Sequence, residues 1–209
     1  MKFICQDIMK VFNCKKTILI LLVAIGCSEK EPELVIVTNE NIDVKDNVFY
    51  LKSTDKVFNG YLTDYYTSSS SQEPNVENKN IKSRSLIRNG KLNGLSEGWY
   101  TSGQKQIEEN FVDGKSHGVR VKWHRNGLKS AEDTIEYGIL NGLCRKWHQN
   151  GQLAEEMVMV NGKADGRAFS WHVNGRRKAE VELRMGKVIE QKLWHKNGDS
   201  VHSQSSGKG

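Results

Sequence analysis

Cysteine and long hydrophobic runs are both scarce in this 209-residue chain. Two of its four cysteines, Cys5 and Cys14, precede the longest apolar run, residues 17–26, and only Cys27 and Cys144 follow it. That run of about ten residues is too short for a membrane-spanning helix, which needs about 20. We therefore expect neither a disulfide framework nor a transmembrane helix.

The chain also lacks the residue sets that mark common chemistries. No Ser/His/Asp or Cys/His constellation stands apart in its own context, which disfavours an enzyme. No run of basic residues or aromatic stacking platform supports nucleic-acid binding. Residues 27–80 have a net charge of −5, whereas residues 81–209 hold 22 basic and 14 acidic side chains, a net charge of +8. We interpret this excess as a solvated face with cross-strand ion pairs, with an anionic partner as the alternative.

What the chain does contain is a 24-residue repeat, and four columns of residues define it. An opening glycine stands at Gly94, Gly118, Gly142 and Gly166. A tryptophan stands at Trp99, Trp123, Trp147 and Trp171. A second glycine stands at Gly103, Gly127, Gly151 and Gly175, and a closing glycine at Gly114, Gly138, Gly162 and Gly186. A fixed period of this size is typical of a repeat array, and we count about six copies.

Each copy is predicted to be a β-hairpin. Pairs such as Asn126-Gly127 separate its two strands, and pairs such as Asp113-Gly114 separate the copies. Glycine supplies the positive φ that tight turns need. With only turns between strands, the chain is expected to be all-β, an elongated antiparallel meander of stacked hairpins in a single twisted sheet.

The alternation of side chains assigns residues to the two faces of this sheet. Trp123 alternates with Lys122 and His124, and we expect apolar residues of the second strand, such as Ile135, to share the tryptophan face. That sharing requires a three-residue loop with glycine as a bulge. The opposite face is then expected to carry His, Lys and Arg against a glutamate column, Glu108, Glu132, Glu156 and Glu180.

The histidine column is the set of residues in this sequence that most resembles a metal site. It comprises His124, His148, His172 and His195. Successive members lie two strands, or about 10 Å, apart, whereas zinc–nitrogen bonds are about 2 Å long. We therefore interpret these histidines as surface residues and expect no metal, no cofactor and no catalytic residue.

The N-terminus resembles a bacterial lipoprotein leader. Lys15 and Lys16 precede the apolar run, and Ala24-Ile25-Gly26 precedes Cys27 in the pattern of a lipobox. We expect residues 1–26 to be a signal peptide, with translation starting at Met1 or Met9, and Cys27 to be lipidated; a soluble secreted protein is the alternative. Residues 27–56 are then a tether with leading strands, 57–202 the repeat array with an insertion at 67–80, and 203–209 a disordered tail.

The repeat unit resembles the MORN repeat in its bacterial variant form. The resemblance is carried by Gly142, Trp147, Asn150-Gly151 and Gly162, and by their equivalents one period away, over roughly residues 57–200. It implies stacked β-hairpins in one sheet and no catalytic residues. Many bacterial members carry the label YwqK-type antitoxin, and MORN repeats elsewhere are described as membrane-associated or as protein-interaction modules.

These observations predict a non-catalytic, lipid-anchored repeat protein that presents a β-sheet surface to another protein. The alternatives are an antitoxin or immunity-type component of a toxin–antitoxin system, whose partner is a toxin, and binding of anionic lipid or glycan. The expected location is the bacterial cell envelope, at the outer membrane, with exposure at the cell surface left open.

Overall fold

The structure, a computed structural model, describes residues 35–66 and 80–205, which lie within one compact unit, Pro32–Gly209. The predicted signal peptide and Cys27 lie outside the described residues, as does the predicted insertion apart from its last residue. The strands are β1 Ile36–Val37, β2 Ile42–Lys45, β3 Val48–Leu51, β4 Lys56–Val57, β5 Gly60–Tyr65, β6 Ile81–Arg88, β7 Lys91–Trp99, β8 Lys105–Val112, β9 Lys115–Ser116, β10 Gly118–Trp123, β11 Lys129–Glu136, β12 Ile139–Trp147, β13 Leu153–Val160, β14 Lys163–Ala164, β15 Gly166–Trp171, β16 Arg177–Arg184, β17 Lys187–Trp194 and β18 Ser200–Ser205.

Fifteen of these strands form one open sheet in the order β1-β5-β6-β7-β8-β10-β11-β12-β13-β15-β16-β17-β18, with β9 beside β8 and β14 beside β13. From β5 onward every neighbouring pair is antiparallel, and only β1 runs parallel to β5. The predicted fold class, an all-β meander of stacked hairpins, is confirmed. Strand β18 continues to Ser205, beyond the predicted end of the array at 202.

The sequence predicts leading strands before the array but only a single sheet, whereas the structure places β2-β3-β4 in a second, three-stranded sheet. Its residues lack the 24-residue columns, and its first hairpin turns at Asp46-Asn47, both with positive φ. The best-buried cluster of the described chain lies where this sheet meets the first repeat: Ile42, Phe58 and Ile87 are 8%, 1% and 0% exposed. This cluster closes one end of the array.

Within the described residues, the helical structure is a 3-10 turn at Asn39–Asn41. No helix there is long and apolar enough to cross a membrane.

Two kinds of turn build the array, and both depend on left-handed backbone. The turns between copies contain two residues with positive φ, as at Asn161 (50°) and Gly162 (77°), which is the type I′ geometry of two-residue hairpins. The turn within a copy closes when Gly127 N–H donates to His124 C=O at 2.9 Å and His124 N–H donates to Leu128 C=O at 2.8 Å. Arg125, Asn126 and Gly127 therefore form the three-residue loop that the sequence predicts.

The predicted division of residues between the two faces is wrong. The three-residue loop is followed by a second bulge, because Trp123 pairs with Lys129 whereas Lys122 pairs with Ala131, which leaves Ser130 unpaired. One extra residue reverses the alternation of everything after it. Ile135 thus pairs with Gly118, on the face opposite Trp123.

The same second bulge occurs in the other copies, and it moves the glutamate column onto the tryptophan face. The extra residues are Gln106, Ser130, Ala154 and Lys178. Glu132 pairs with Val121, and Glu156 pairs with Arg145, two strand positions from the tryptophan of the same strand. Because directly paired residues share a face, each face of the sheet carries both apolar and charged side chains.

Candidate binding surface

The tryptophan face is the side of the sheet that carries Trp99, Trp123, Trp147, Trp171 and Trp194. Cationic side chains lie over several of these rings. Lys105 Nζ is 5.8 Å from the ring centroid of Trp123, and Lys129 Nζ is 5.9 Å from that of Trp147, each reaching from the preceding copy. In such contacts the ring quadrupole attracts the lysine charge, and the aliphatic stem of the lysine covers the ring. The tryptophans therefore connect neighbouring copies.

A continuous row of paired residues runs beside the tryptophans and crosses the strands from β6 to β17. In order, its members are Arg84, Glu97, Glu108, Val121, Glu132, Arg145, Glu156, Phe169, Glu180 and Lys192. Ion pairs join several neighbours in this row, as between Arg145 and Glu156 at 2.7 Å. The charges of this face are thus largely matched within the sheet.

The carboxylate of Glu97 contacts two cations on this face. Lys105 Nζ lies 2.9 Å from Glu97 and 2.6 Å from Glu108, and Arg84 approaches Glu97 at 3.3 Å. Partial burial alone would raise the pKa of Glu97, but the hydrogen bonds from Lys105 and Arg84 outweigh it and hold this pKa below its ordinary value. The same contacts raise the pKa of Lys105.

The reverse face changes character along the array. In its first part, Arg120 lies between Glu109 at 3.5 Å and Asp133 at 2.8 Å. Further along, some paired residues are apolar, as where Cys144 pairs with Met157. On the same face, however, Lys146 and Glu155 form an ion pair at 2.8 Å. Burial raises the pKa of the Cys144 thiol. Cys144 is therefore a small buried hydrophobic residue, and the other copies have no cysteine at this position.

The histidine column joins one copy to the next, contrary to its interpretation as a set of surface residues. His124, His148 and His172 are half-buried. The Nε2 atom of each lies 2.9 Å from the carbonyl oxygen of the next tryptophan along the array, at Trp147, Trp171 and Trp194. A carbonyl only accepts, so Nε2 carries the proton and donates it. The signal in the sequence is the separation of 22 or 23 residues between each histidine and the tryptophan it contacts.

Tyrosine takes the place of histidine in the earlier copies, which supports the structural role of this position. The Tyr66 hydroxyl donates to Trp99 C=O and the Tyr100 hydroxyl to Trp123 C=O, both at 2.7 Å. Next to this ladder, the hairpin asparagines Asn126, Asn150 and Asn174 each donate to a carbonyl of the following copy. The edge formed by the hairpin loops is thus a hydrogen-bonded seam.

The opposite edge, which we call the turn edge, consists of the five type I′ turns between copies. Their central pairs are Asn89-Gly90, Asp113-Gly114, Tyr137-Gly138, Asn161-Gly162 and Met185-Gly186. Each turn glycine donates its N–H to a carbonyl of the preceding turn region, as Gly162 does to Leu140 at 2.9 Å. The residue after this glycine is exposed in every turn: Lys91, Lys115, Ile139, Lys163 and Lys187.

The repeat-defining residues predicted from the sequence all serve the scaffold. Gly103, Gly127, Gly151 and Gly175 have φ near +80°, and the opening glycines occupy positive φ as well. At Gly142 a Cβ atom would lie 2.9 Å from Thr134, so both the backbone and the space require glycine. Among residues 35–66 and 80–205, no group of three or more His, Cys, Asp or Glu could hold a metal ion.

Comparison with known families supports this picture of the repeat. No curated protein matches the chain. The family model of the MORN repeat variant matches residues 92–113 and 140–161. Both segments run from the first strand of a copy to the turn that ends it, through the same glycines and tryptophan. The chain therefore contains MORN repeat variants at these two segments, within an array whose other copies share their period and their hydrogen bonds.

Proposed function

We propose that this protein is a non-catalytic, lipid-anchored repeat protein whose sheet binds another protein. One observation carries the proposal: the residues that recur in each copy are occupied by contacts between copies. The tryptophan rings, the histidine Nε2 atoms and the hairpin asparagines all hold the next copy in place. The residues that differ from copy to copy are left on the faces and edges, where a partner can contact them.

The described part of the array is a single-layered sheet along most of its width, and this supports a binding role. Within the described residues, Ile135 and Cys144 are the only well-buried hydrophobic residues of the array apart from the N-terminal cluster. Exposed apolar side chains stand along the sheet, among them Leu95, Val119 and Val158 on the tryptophan face. Such accessible surface on a rigid scaffold suits recognition of a macromolecule.

Lipidation of Cys27 and a place in the cell envelope rest on the leader. A palmitate label should be found on the wild-type chain in intact cells, and Cys27→Ala should lose both this label and sedimentation with membranes, because two or more acyl chains are needed for stable anchoring. Cys144→Ala is the matched control and should keep both. A wild-type chain that remains in the soluble fraction would contradict the anchor while leaving the binding function open.

An antitoxin or immunity-type role is a narrower form of the same function, in which the partner is a toxin. It is supported only by the label that related repeats carry. Deletion of the encoding gene should then be lethal only in the presence of a neighbouring toxin gene. A chain encoded without such a neighbour would contradict this role.

Binding of anionic lipid or glycan is the second candidate function, and the charge of the array favours it. Residues 81–209 have a net charge of +8, and four of the five exposed positions that follow the turn glycines are lysines. Sedimentation of the non-acylated Cys27→Ala chain with anionic vesicles, and its loss in high salt, would support this candidate. Equal binding to zwitterionic vesicles would count against it.

A further inference from the structure

The lysines of the turn edge differ from several cations of the two faces, although Arg177 contacts the rings of Phe169 and Trp171 rather than a carboxylate. Arg145, Arg120 and Lys105 all contact carboxylates within the sheet. In contrast, the structure shows no hydrogen bond or ion pair for the side chains of Lys91, Lys115, Lys163 and Lys187 in the part of the chain it describes; all four are exposed. They lie in one line, two strands or about 10 Å apart from copy to copy. A row of unmatched cations attracts an anionic surface.

The middle of this line is apolar. Ile139 takes the position of the lysine in the third turn and is 51% exposed, and Tyr137, at the tip of the same turn, is 55% exposed. Val160, which ends the strand before the next turn, is exposed as well. An aromatic residue and two aliphatic residues thus form a small apolar patch between Lys115 and Lys163.

Tyr137 also has an unfavourable backbone conformation. Its φ is 47°, in the left-handed region, where three of the other turns place Asn89, Asp113 and Asn161. Asparagine and aspartate tolerate this region, whereas a bulky side chain does so at a cost in stability. The ring rests on His117, with 4.6 Å between the ring centroids. Met185 takes the same left-handed position in a later turn, at φ 51°, so bulky residues occupy this position twice, and backbone strain of this kind is found at functional sites.

We propose that the turn edge around Tyr137 and Ile139 is the docking site of the partner, and that this partner is a protein with an apolar pocket rimmed by carboxylates. Tyr137 and Ile139 enter the pocket, and Lys115 and Lys163 contact the rim. In protein interfaces, tyrosine is common among the central residues that contribute most of the binding energy, and charged residues often surround them. This inference rests on the proposed protein-binding function and specifies the surface and the chemistry of its partner.

The charges at the same turns favour a protein over a membrane or a second copy. Asp113 and Glu136 are exposed beside the patch. A flat anionic bilayer would have to approach these carboxylates together with the lysines, whereas a contoured protein surface can avoid them. A second copy docked through the same edge would oppose lysine to lysine. Charge complementarity therefore points to an acidic protein surface.

Photo-crosslinking in cells that produce the full chain tests this inference. The probe is p-benzoylphenylalanine, placed either at Ile139 or at Val119, which is 50% exposed on the tryptophan face and so matches Ile139 in accessibility. We expect a protein adduct from position 139 and none from 119. Mass spectrometry should place the crosslink in a partner segment that contains aspartate or glutamate.

Substitutions then test the roles of the named side chains. Lys115→Glu with Lys163→Glu should lower the yield of the position-139 adduct by about tenfold or more, whereas Lys115→Arg with Lys163→Arg should retain most of it. Tyr137→Asn should lower the yield similarly, although asparagine is the residue found in equivalent turns. Its Tm should equal or exceed that of the wild type, which separates lost binding from lost folding.

The possible outcomes separate this inference from the proposed function. A protein adduct from position 119 alone would place the partner on the tryptophan face, which overturns this inference and keeps the proposed function. A lipid adduct at 139, or a protein adduct that is unaffected by the charge reversal, would also overturn it. No protein adduct at either position, nor at Leu95, Val158 and Met185, would contradict the proposed function itself.

Discussion

The half-buried histidines of this chain act through single hydrogen bonds between copies. His148 shows how: its Nε2 atom donates to Trp171 C=O at 2.9 Å, one copy further on. Both the neutral and the protonated ring can donate from Nε2, so this bond does not depend on the charge of the ring. These histidines therefore link each copy of the array to the next.

Removal of this donor should weaken the array by about one hydrogen bond. We expect His148→Ala to lower the free energy of unfolding by about 1 kcal/mol, because the carbonyl of Trp171 loses its partner. Urea unfolding followed by circular dichroism measures this change. His195→Ala is the control, since His195 is exposed and its side chain makes no hydrogen bond to the described residues; a change of equal size there would contradict the role assigned to His148.

The glycine and tryptophan positions could be predicted from the sequence, whereas the function of the histidines could not. Positive φ at Gly127 follows from the chemistry of tight turns, which is local. The partner of His124 is a backbone carbonyl 23 residues away, and every residue has such a carbonyl. Only the stacked copies show which carbonyl is within reach.

At the scale of the strand, a single extra residue decides which face a side chain occupies. In the copy that begins at Gly142, Trp147 pairs with Leu153 and Lys146 with Glu155, so Ala154 is left over. Nothing in the residue type of Ala154 indicates a bulge, which is why alternation along the sequence misplaced the second strand. The result puts Glu97 and Glu108 opposite each other, next to Lys105, and produces the ion-pair row.

The pairing of Glu97 predicts a specific loss of stability in acid. Because its folded pKa lies below the ordinary value of 4.5, Glu97 stabilises the fold above that pH, and this contribution is lost as the pH falls through the lowered folded pKa. Glu97→Gln should therefore reduce stability at neutral pH and flatten its dependence on pH below about 4.5. Urea unfolding at a series of pH values tests this; an unchanged slope would contradict it, and Glu40→Gln, at an exposed site, is the control.

At the scale of the whole described unit, stability is unevenly distributed. The sheet is a single layer along most of its width, and its copies contact mainly their neighbours. The cluster of Ile42, Phe58 and Ile87 at the start of the array is the largest group of well-buried side chains in the described residues. We infer that this cluster acts as the cap that a repeat array needs at its end.

Truncation of a capping residue should therefore cost far more than truncation in the middle of the sheet. Phe58→Ala should lower the free energy of unfolding by about 3–5 kcal/mol, because Phe58 is almost fully buried. Val158→Ala, at an exposed site on the tryptophan face, should change it by less than about 0.5 kcal/mol. Similar losses in the two variants would show that the cluster is no cap.

The sequence by itself determined the period, the turns and the all-β meander, because these depend on residues close together in the chain. Tertiary structure decided the rest: the face of each side chain, the carbonyl that each histidine contacts, and the three-stranded sheet packed at the start of the array. It also showed that several face cations contact carboxylates, whereas the turn-edge lysines make no ion pair among the described residues, since ion pairs depend on distances across strands. That difference, rather than the repeat, is the basis of the proposed docking site.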